Sequence, residues 1–483
     1  MRYYQTHSIN HAGRRPLFSA WEASVSALCG ILVLFSPQPL LMGASLSVLL
    51  VAGYLFWRPG FPPVLLFVLF YQWAQVSGEL FYSLFTGEPL YSVFVATSYL
   101  REATWLGLIG LLVLAAGMWI PVRSLKIQQL VERARDEIEE ISIHRVFLSY
   151  LGVLGSVVII LPSVRGTIPS SAQILGAAAQ LRWAAFFLLA CAAIQKGEGG
   201  FYLALAVVFE MILGLGFFSK FKTVFFVLAI AVGTAYTQIK REAVISGIAV
   251  AATVILLGSV WTAVEGEYRQ FLNQGTGQQA VRVSKWEQVQ KFANMASSLS
   301  WEEIEQGATV TLKRVAYVKF FAATLDYVPD RRQHEGGEVW GRAIEHIVKP
   351  RIFFPDKPVL KSDSRITREY TGLQVAGGTR GTSISIGYMG ESYVDFGRFG
   401  MFFPVLLLGL AWGGMLVYFM RSSPITVVGF AFAVAVLINA NRFEITSIKL
   451  LGSVLMKFIV LALVMRFGMP HVGPWLFEGK NSI

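Results

Sequence analysis

Charge is scarce in this sequence. Only 15% of its 483 residues are Asp, Glu, Lys or Arg, against about 25% in a typical soluble chain. Cysteine is scarcer still: Cys29 and Cys191 both lie inside apolar runs. Two thiols cannot build a metal cluster alone, and their setting argues against a structural disulfide. There is no Walker A loop, no GxGxxG after a strand, no HExxH, no CxxC pair and no Asp-x-Asp cluster. These absences point away from nucleotide, zinc and metal-dependent sugar-nucleotide chemistry, so neither metal nor cofactor is expected. Internal repeats and low-complexity tracts are missing too, which argues against transporter architectures built from duplicated halves.

What is abundant is apolar sequence: 54% of residues are hydrophobic, and the mean hydropathy is +0.56. Windows long enough to cross a bilayer lie at 18–36, 39–57, 63–84, 103–122, 146–162, 180–195, 199–218, 222–238, 243–261, 399–420, 425–441 and 446–466. The expectation is an all-α polytopic membrane protein with about twelve transmembrane helices. Three segments follow: an N-terminal bundle over 1–261, a large loop over 262–398 and C-terminal helices over 399–483. The first apolar run lacks a small-residue cleavage site and reads as a retained anchor. Net charge is +11. In a membrane chain that excess reflects cytoplasmic loops and anionic lipid, and no nucleic-acid partner is inferred.

Arg14, Arg15, Arg58, the cluster from Arg123 to Arg145, Lys196, Lys240, Arg241 and Arg421 all fall on one side of a twelve-span topology. That side is the cytoplasm by the positive-inside rule, with both termini there and the large loop outside. Lys220 and Lys222 are the exception on the far side. The 124–143 stretch has apolar residues at helical spacing and reads as an amphipathic helix lying along the membrane. In the large loop, 281–299 and 301–327 read as helices.

The polar residues are concentrated late in that loop. Between Arg342 and Arg398 lie nine bases and six acids, with His346 among them. Arg351 and Lys357 sit in a segment stiffened by Pro350, Pro355 and Pro358. Gly387 to Gly400 then carries Glu391, Asp395 and Arg398 among four glycines, directly before the apolar run from Met401. Glu391 and Asp395 are four apart and would share a face if helical. Asp395 is also placed to cap a helix beginning near Arg398. The turn at Asn439–Glu444 puts Arg442 and Glu444 at similar depth, and Glu210 is an acid inside an apolar run.

The order of these features resembles the Wzy-type O-antigen and exopolysaccharide repeat-unit polymerases. The likeness rests on Arg351 to Pro358, Gly377-Gly378-Thr379, Gly381-Thr382-Ser383, Gly387 to Tyr393 and Asp395 to Gly400. Asp395 stands where Asn is more usual, and the Ser219-Lys220 turn is similar to the family's Ser-Arg or Ser-Lys turn. The resemblance implies a GT-C-like membrane glycosyltransferase fold in the bacterial inner membrane, acting at the periplasmic face without metal or nucleotide sugar. Its substrate would be an undecaprenyl-diphosphate-linked oligosaccharide, delivered by a flippase, with chain length set by a co-polymerase. On this likeness Lys220, Lys222, Arg351 and Arg380 would bind the diphosphate, with Lys357, Arg442 and Glu444 beside them. Glu391 would orient or deprotonate the acceptor hydroxyl, His346 would be the second choice of base, and Asp395 and Arg398 would shape the loop. An O-antigen ligase and a transporter of lipid-linked sugars are the competing readings.

Overall fold

A computed structural model of the protein describes residues 20–92, 95–160, 172–216, 222–236, 241–276, 281–349, 354, 360–375 and 383–477. These residues are almost wholly helical, and no strand occurs among them; an isolated bridge joins Ile141 to Phe477. The N-terminal half supplies α1 (Ala20–Phe35), α2 (Pro39–Phe56), α3 (Val64–Thr86), α4 (Thr97–Val122), α5 (Ile127–Glu140), α6 (Ile143–Gly155), α7 (Ala172–Ala178), α8 (Leu181–Lys196), α9 (Gly200–Gly214) and α10 (Lys222–Ala235). The middle supplies α11 (Arg241–Leu272), α12 (Lys285–Ser298), α13 (Trp301–Val315), α14 (Val318–Tyr327), α15 (Glu338–Val348) and α16 (Asp363–Thr371). The chain then returns through α17 (Gly387–Gly400), α18 (Phe402–Ser422), α19 (Thr426–Leu437) and α20 (Ser447–Leu463).

Among the described residues six helical stretches are long and apolar enough to cross a membrane: Pro39–Phe56, Val64–Thr86, Thr97–Val122, Gln173–Lys196, Phe402–Ser422 and Ser447–Leu476. Four shorter apolar helices, Ile143–Ile159, Gly200–Gly214, Lys222–Ala235 and Thr426–Ala440, coincide with other predicted windows. One of them has a clear reason to be short. Every residue of α19 is buried, so this helix is enclosed by protein and faces no lipid.

The most extensive helix packing among the described residues is between α4 and α18. A Cβ on Gly117 would stand 2.5 Å from the Leu406 carbonyl oxygen, and one on Gly409 or Gly413 would meet the backbone oxygens of Leu114 or Met118. Glycine at Gly409 and Gly413, spaced by four, lets the two backbones touch, the device that replaces hydrophobic driving force between membrane helices.

The amphipathic helix is found at Ile127–Glu140, with Ala134 and Ile138 buried. Its Glu137 carboxylate accepts from the backbone N–H groups of Thr426 and Val427, at 2.9 and 2.8 Å. The helix therefore caps the N-terminus of α19 as well as covering the bundle.

The polar insert begins as a continuation of a helix. α11 runs unbroken through the predicted boundary at 261/262. α13 packs on it so tightly that Gly307 lies against the Ser259 carbonyl, and Thr262 shares a 2.8 Å hydrogen bond with Thr311. Glu265 pairs with both Arg269 and Arg314. Ser284 and Ser300 start α12 and α13 with reciprocal capping boxes to Glu287 and Glu303. The expected single helix over 301–327 is two, α13 and α14. The break follows from tertiary packing: the Tyr317 N–H donates to the Gln75 carbonyl at 2.9 Å, and Ala316 presses against Gly78. Beyond the break, α14 is buried along most of its length and packs on α4.

Candidate functional site

The segment singled out from sequence is a helix, not an irregular loop. Gly387 opens α17 with φ +77°, and a Cβ there would lie 2.5 Å from the Phe443 carbonyl oxygen. Gly397, at φ +68°, breaks the helix before α18. Between these two glycines, every residue from Tyr388 to Asp395 is buried. Glu391 and Asp395 are thus brought into one enclosed element.

Glu391 is 1% exposed. Its Oε2 accepts from the Ser447 N–H at 2.6 Å, at the first turn of α20, where backbone donors and the helix dipole favour an anion. Burial nevertheless pushes its pKa up to about 7; the hydrogen bond from Ser447 opposes the rise, and the Asp363 and Asp395 carboxylates add to it. Such a carboxyl is poised to exchange a proton near neutral pH.

Asp363, whose charge acts on Glu391, and residues on the elements adjoining α17 form further hydrogen bonds. Asp363, at the start of α16, accepts from the Ser383 hydroxyl and from Lys449 Nζ, both at 2.6 Å. Lys449 is 44% exposed, so this pair meets water on that side. Glu444 accepts from Gln75 Nε2 at 2.5 Å, while Gln75 Oε1 accepts from the Phe443 N–H at 2.8 Å. Tyr388 donates its hydroxyl to Gln72 Oε1 at 2.7 Å, and Gln72 donates to the Ala440 carbonyl at 2.9 Å. The Tyr317 hydroxyl accepts from the Ser385 N–H at 2.9 Å. Its pKa is raised by burial, which outweighs that hydrogen bond, and the nearby Glu444 and Asp363 charges add to the rise. The Thr446 hydroxyl is buried with no partner among the described residues.

The remaining predicted residues are distributed around this centre. Asp395 does not cap the helix starting near Arg398. Its carboxylate accepts from the Val339 and Trp340 N–H groups, at 3.0 and 2.8 Å, and so caps α15 from another part of the chain. Sequence spacing could not show this, because the capped helix lies more than fifty residues upstream. The indole of Trp340 donates to Ser392 at 3.0 Å, which ties α15 to α17 a second time. Burial raises the Asp395 pKa, opposed by those backbone donors. Arg398 pairs with Glu102 of α4, its Nε 2.5 Å from Oε1. His346 lies half-buried on α15, which packs against α20. Arg442 is exposed and forms no ion pair among the described residues. Lys222, at the start of α10, lies beside Tyr71, its Nζ 3.4 Å from the hydroxyl. Lys220, Arg351, Lys357 and Arg380 lie outside the described residues.

The structure adds Gln72, Gln75, Tyr317, Asp363 and Lys449 to the site. Gln72 and Gln75 left a readable signal, two amides one helical turn apart inside an apolar run. Asp363 and Lys449 left none, being a loop acid and a flanking base in a sequence with many of each.

These features define a class: an all-helical chain with several membrane-length helices and buried polar groups beneath a helical insert. By comparison with known families, the chain belongs to DUF8712, a domain of unknown function whose family model matches residues 103–419. The match runs from within α4 to within α18, the two helices of the glycine crossing, and contains the whole insert and α17. No curated protein and no solved structure matches the chain.

Proposed function

We propose that the protein is a bacterial inner-membrane glycosyltransferase of the GT-C type that polymerises undecaprenyl-diphosphate-linked oligosaccharide units at the periplasmic face. The observation that carries this reading is Glu391: a carboxyl buried in α17, near neutral in pKa, seated where an apolar helical bundle meets a charged insert. The motif resemblance over 351–400 points to the same residue.

In this reading the acceptor hydroxyl oxygen attacks the anomeric carbon of the lipid-linked chain. The new C–O bond forms as the bond to the diphosphate breaks, the diphosphate leaves with the electron pair, and the hydroxyl proton passes to Glu391. A diphosphate needs little protonation to leave, so its charge is met by cations instead. Arg351, Arg380, Lys220, Lys222, Lys357 and Arg442 are the groups proposed for that task. The unpartnered Thr446 hydroxyl, one residue from the amide that binds Glu391, offers a hydrogen bond to an incoming group. Asp395 and Arg398 act as positioning residues, holding α17 to α15 and α4. His346 is the alternative base. A flippase and a chain-length co-polymerase are the partners this activity calls for.

The test is incubation of the purified protein in nanodiscs with undecaprenyl-diphosphate repeat units and no added nucleotide sugar or metal, with products resolved on a gel. A ladder that disappears in Glu391→Gln and in Arg351→Ala is expected. Ladders unchanged in both variants would sink the assignment. Transfer only when a lipid A core acceptor is supplied would mark a ligase instead.

A further inference from the structure

Away from α17, the bundle holds a second charged group whose hydrogen-bonding capacity is largely unused. Arg182 is the second residue of α8, within the membrane-length stretch Gln173–Lys196. Its side chain is 18% exposed. Its ionic contact is with Glu210 of α9, Nη1 to Oε2 at 3.4 Å. The guanidinium lies over the Trp183 ring, 4.7 Å from the centroid. Trp183 and Tyr150 in turn pack against Phe186. Glu210 is fully buried, and its Oε1 and the Ala206 carbonyl both lie 3.3 Å from the Tyr150 hydroxyl.

A guanidinium carries five N–H donors in a planar fork. Here Nη1 makes an ionic contact with Glu210, and the guanidinium makes no hydrogen bond among the described residues. On a membrane-length helix an arginine left short of acceptors is costly. The aromatic face beneath it fixes the plane of the fork, which suits two-point binding of phosphate oxygens better than contact with a single acceptor.

We propose that Arg182 is the anion-binding group of a lipid site at the junction of α6, α8 and α9, and that its ligand is the phosphate ester of a membrane lipid. Glu210 holds one edge of the guanidinium and the lipid phosphate takes the other. This site does not depend on the assignment of Glu391, and it survives if that assignment fails.

The test is native mass spectrometry of the full-length protein released from nanodiscs containing phosphatidylglycerol or, in a second arm, diacylglycerol without phosphate. Wild type is expected to retain phosphatidylglycerol and not diacylglycerol. Arg182→Gln is expected to lower retention about tenfold, the loss of one charge-assisted pair. Equal retention by Arg182→Gln, or of diacylglycerol by wild type, overturns the proposal. Should Arg182→Gln fail to fold, Arg182→Lys decides: it keeps the charge but loses the planar fork, so retention is expected to fall below wild type, and wild-type retention overturns the site. A third arm adds a polyprenyl phosphate. Displacement of phosphatidylglycerol identifies a carrier lipid as the phosphate source; no displacement identifies bulk phospholipid.

Discussion

A carboxyl sealed from water but touching a helix N-terminus is pulled in two directions, and Glu391 is such a group. Its folded pKa, near 7, lies above the ordinary 4.5. The native state therefore holds its proton through a range in which the unfolded chain has released it. Below pH 4.5 both states are protonated. Between 4.5 and 7 native stability falls as pH rises, and above 7 the loss is complete. Glu391→Gln is neutral at every pH and removes this dependence. The variant is expected to be inactive, yet to unfold at a temperature no lower than wild type at pH 8, with the gap closing on acidification. Unfolding curves across pH 5 to 8 check this; a variant clearly less stable at pH 8 would make Glu391 a purely structural residue. Asp395 has a structural task, because its two carboxylate oxygens take one backbone donor each at the start of α15. Asp395→Ala leaves the Val339 and Trp340 N–H groups open and should cost about 1–2 kcal/mol, whereas Asp395→Asn keeps an acceptor and should cost less. Thermal unfolding of the two variants side by side measures the difference.

At the scale of elements, the α4–α18 crossing is set by backbone contact, so neighbouring glycines have opposite value. Gly413 faces the Met118 carbonyl with no space for a Cβ, while nothing lies within 4 Å of one at Gly414. Gly413→Ala must push two helices apart and is expected to destabilise by about 1–3 kcal/mol. Gly414→Ala relieves a flexible helical position and should be neutral or stabilising by up to about 1 kcal/mol. Unfolding in detergent compares them directly, and equal effects would refute the crossing. The elements themselves were unequally legible. Apolar windows and the amphipathic run at 127–140 could be read from composition and period. The helix at 387–396 was harder to read: its glycines read as loop, and only the enclosure of Tyr388 to Asp395 made it a helix. The same holds for the break at Ala316–Tyr317, where the stop signal is a carbonyl on α3.

For the whole molecule, the distribution of Lys and Arg predicts a definite orientation. In a chain with Cys29 and Cys191 replaced by Ala, a cysteine at Gln306 should react with a membrane-impermeant maleimide in intact cells. One at Glu132 should react only after permeabilisation. Both positions are exposed. The reverse pattern would invert the topology and move Glu391 to the cytoplasmic side, ending the periplasmic reading.

What the sequence determined alone was the solvent: few charges, long apolar runs and their basic flanks specify helices in a membrane, because each of those signals is local and additive along the chain. It also marked Glu391, since an acid is conspicuous beside an apolar run. Tertiary structure alone decided the company that acid keeps. Asp363 and Ser447 come from two separate stretches, and Asp395 caps a helix more than fifty residues away. Hydrogen bonds form between groups close in space, and distance along the chain carries no record of them.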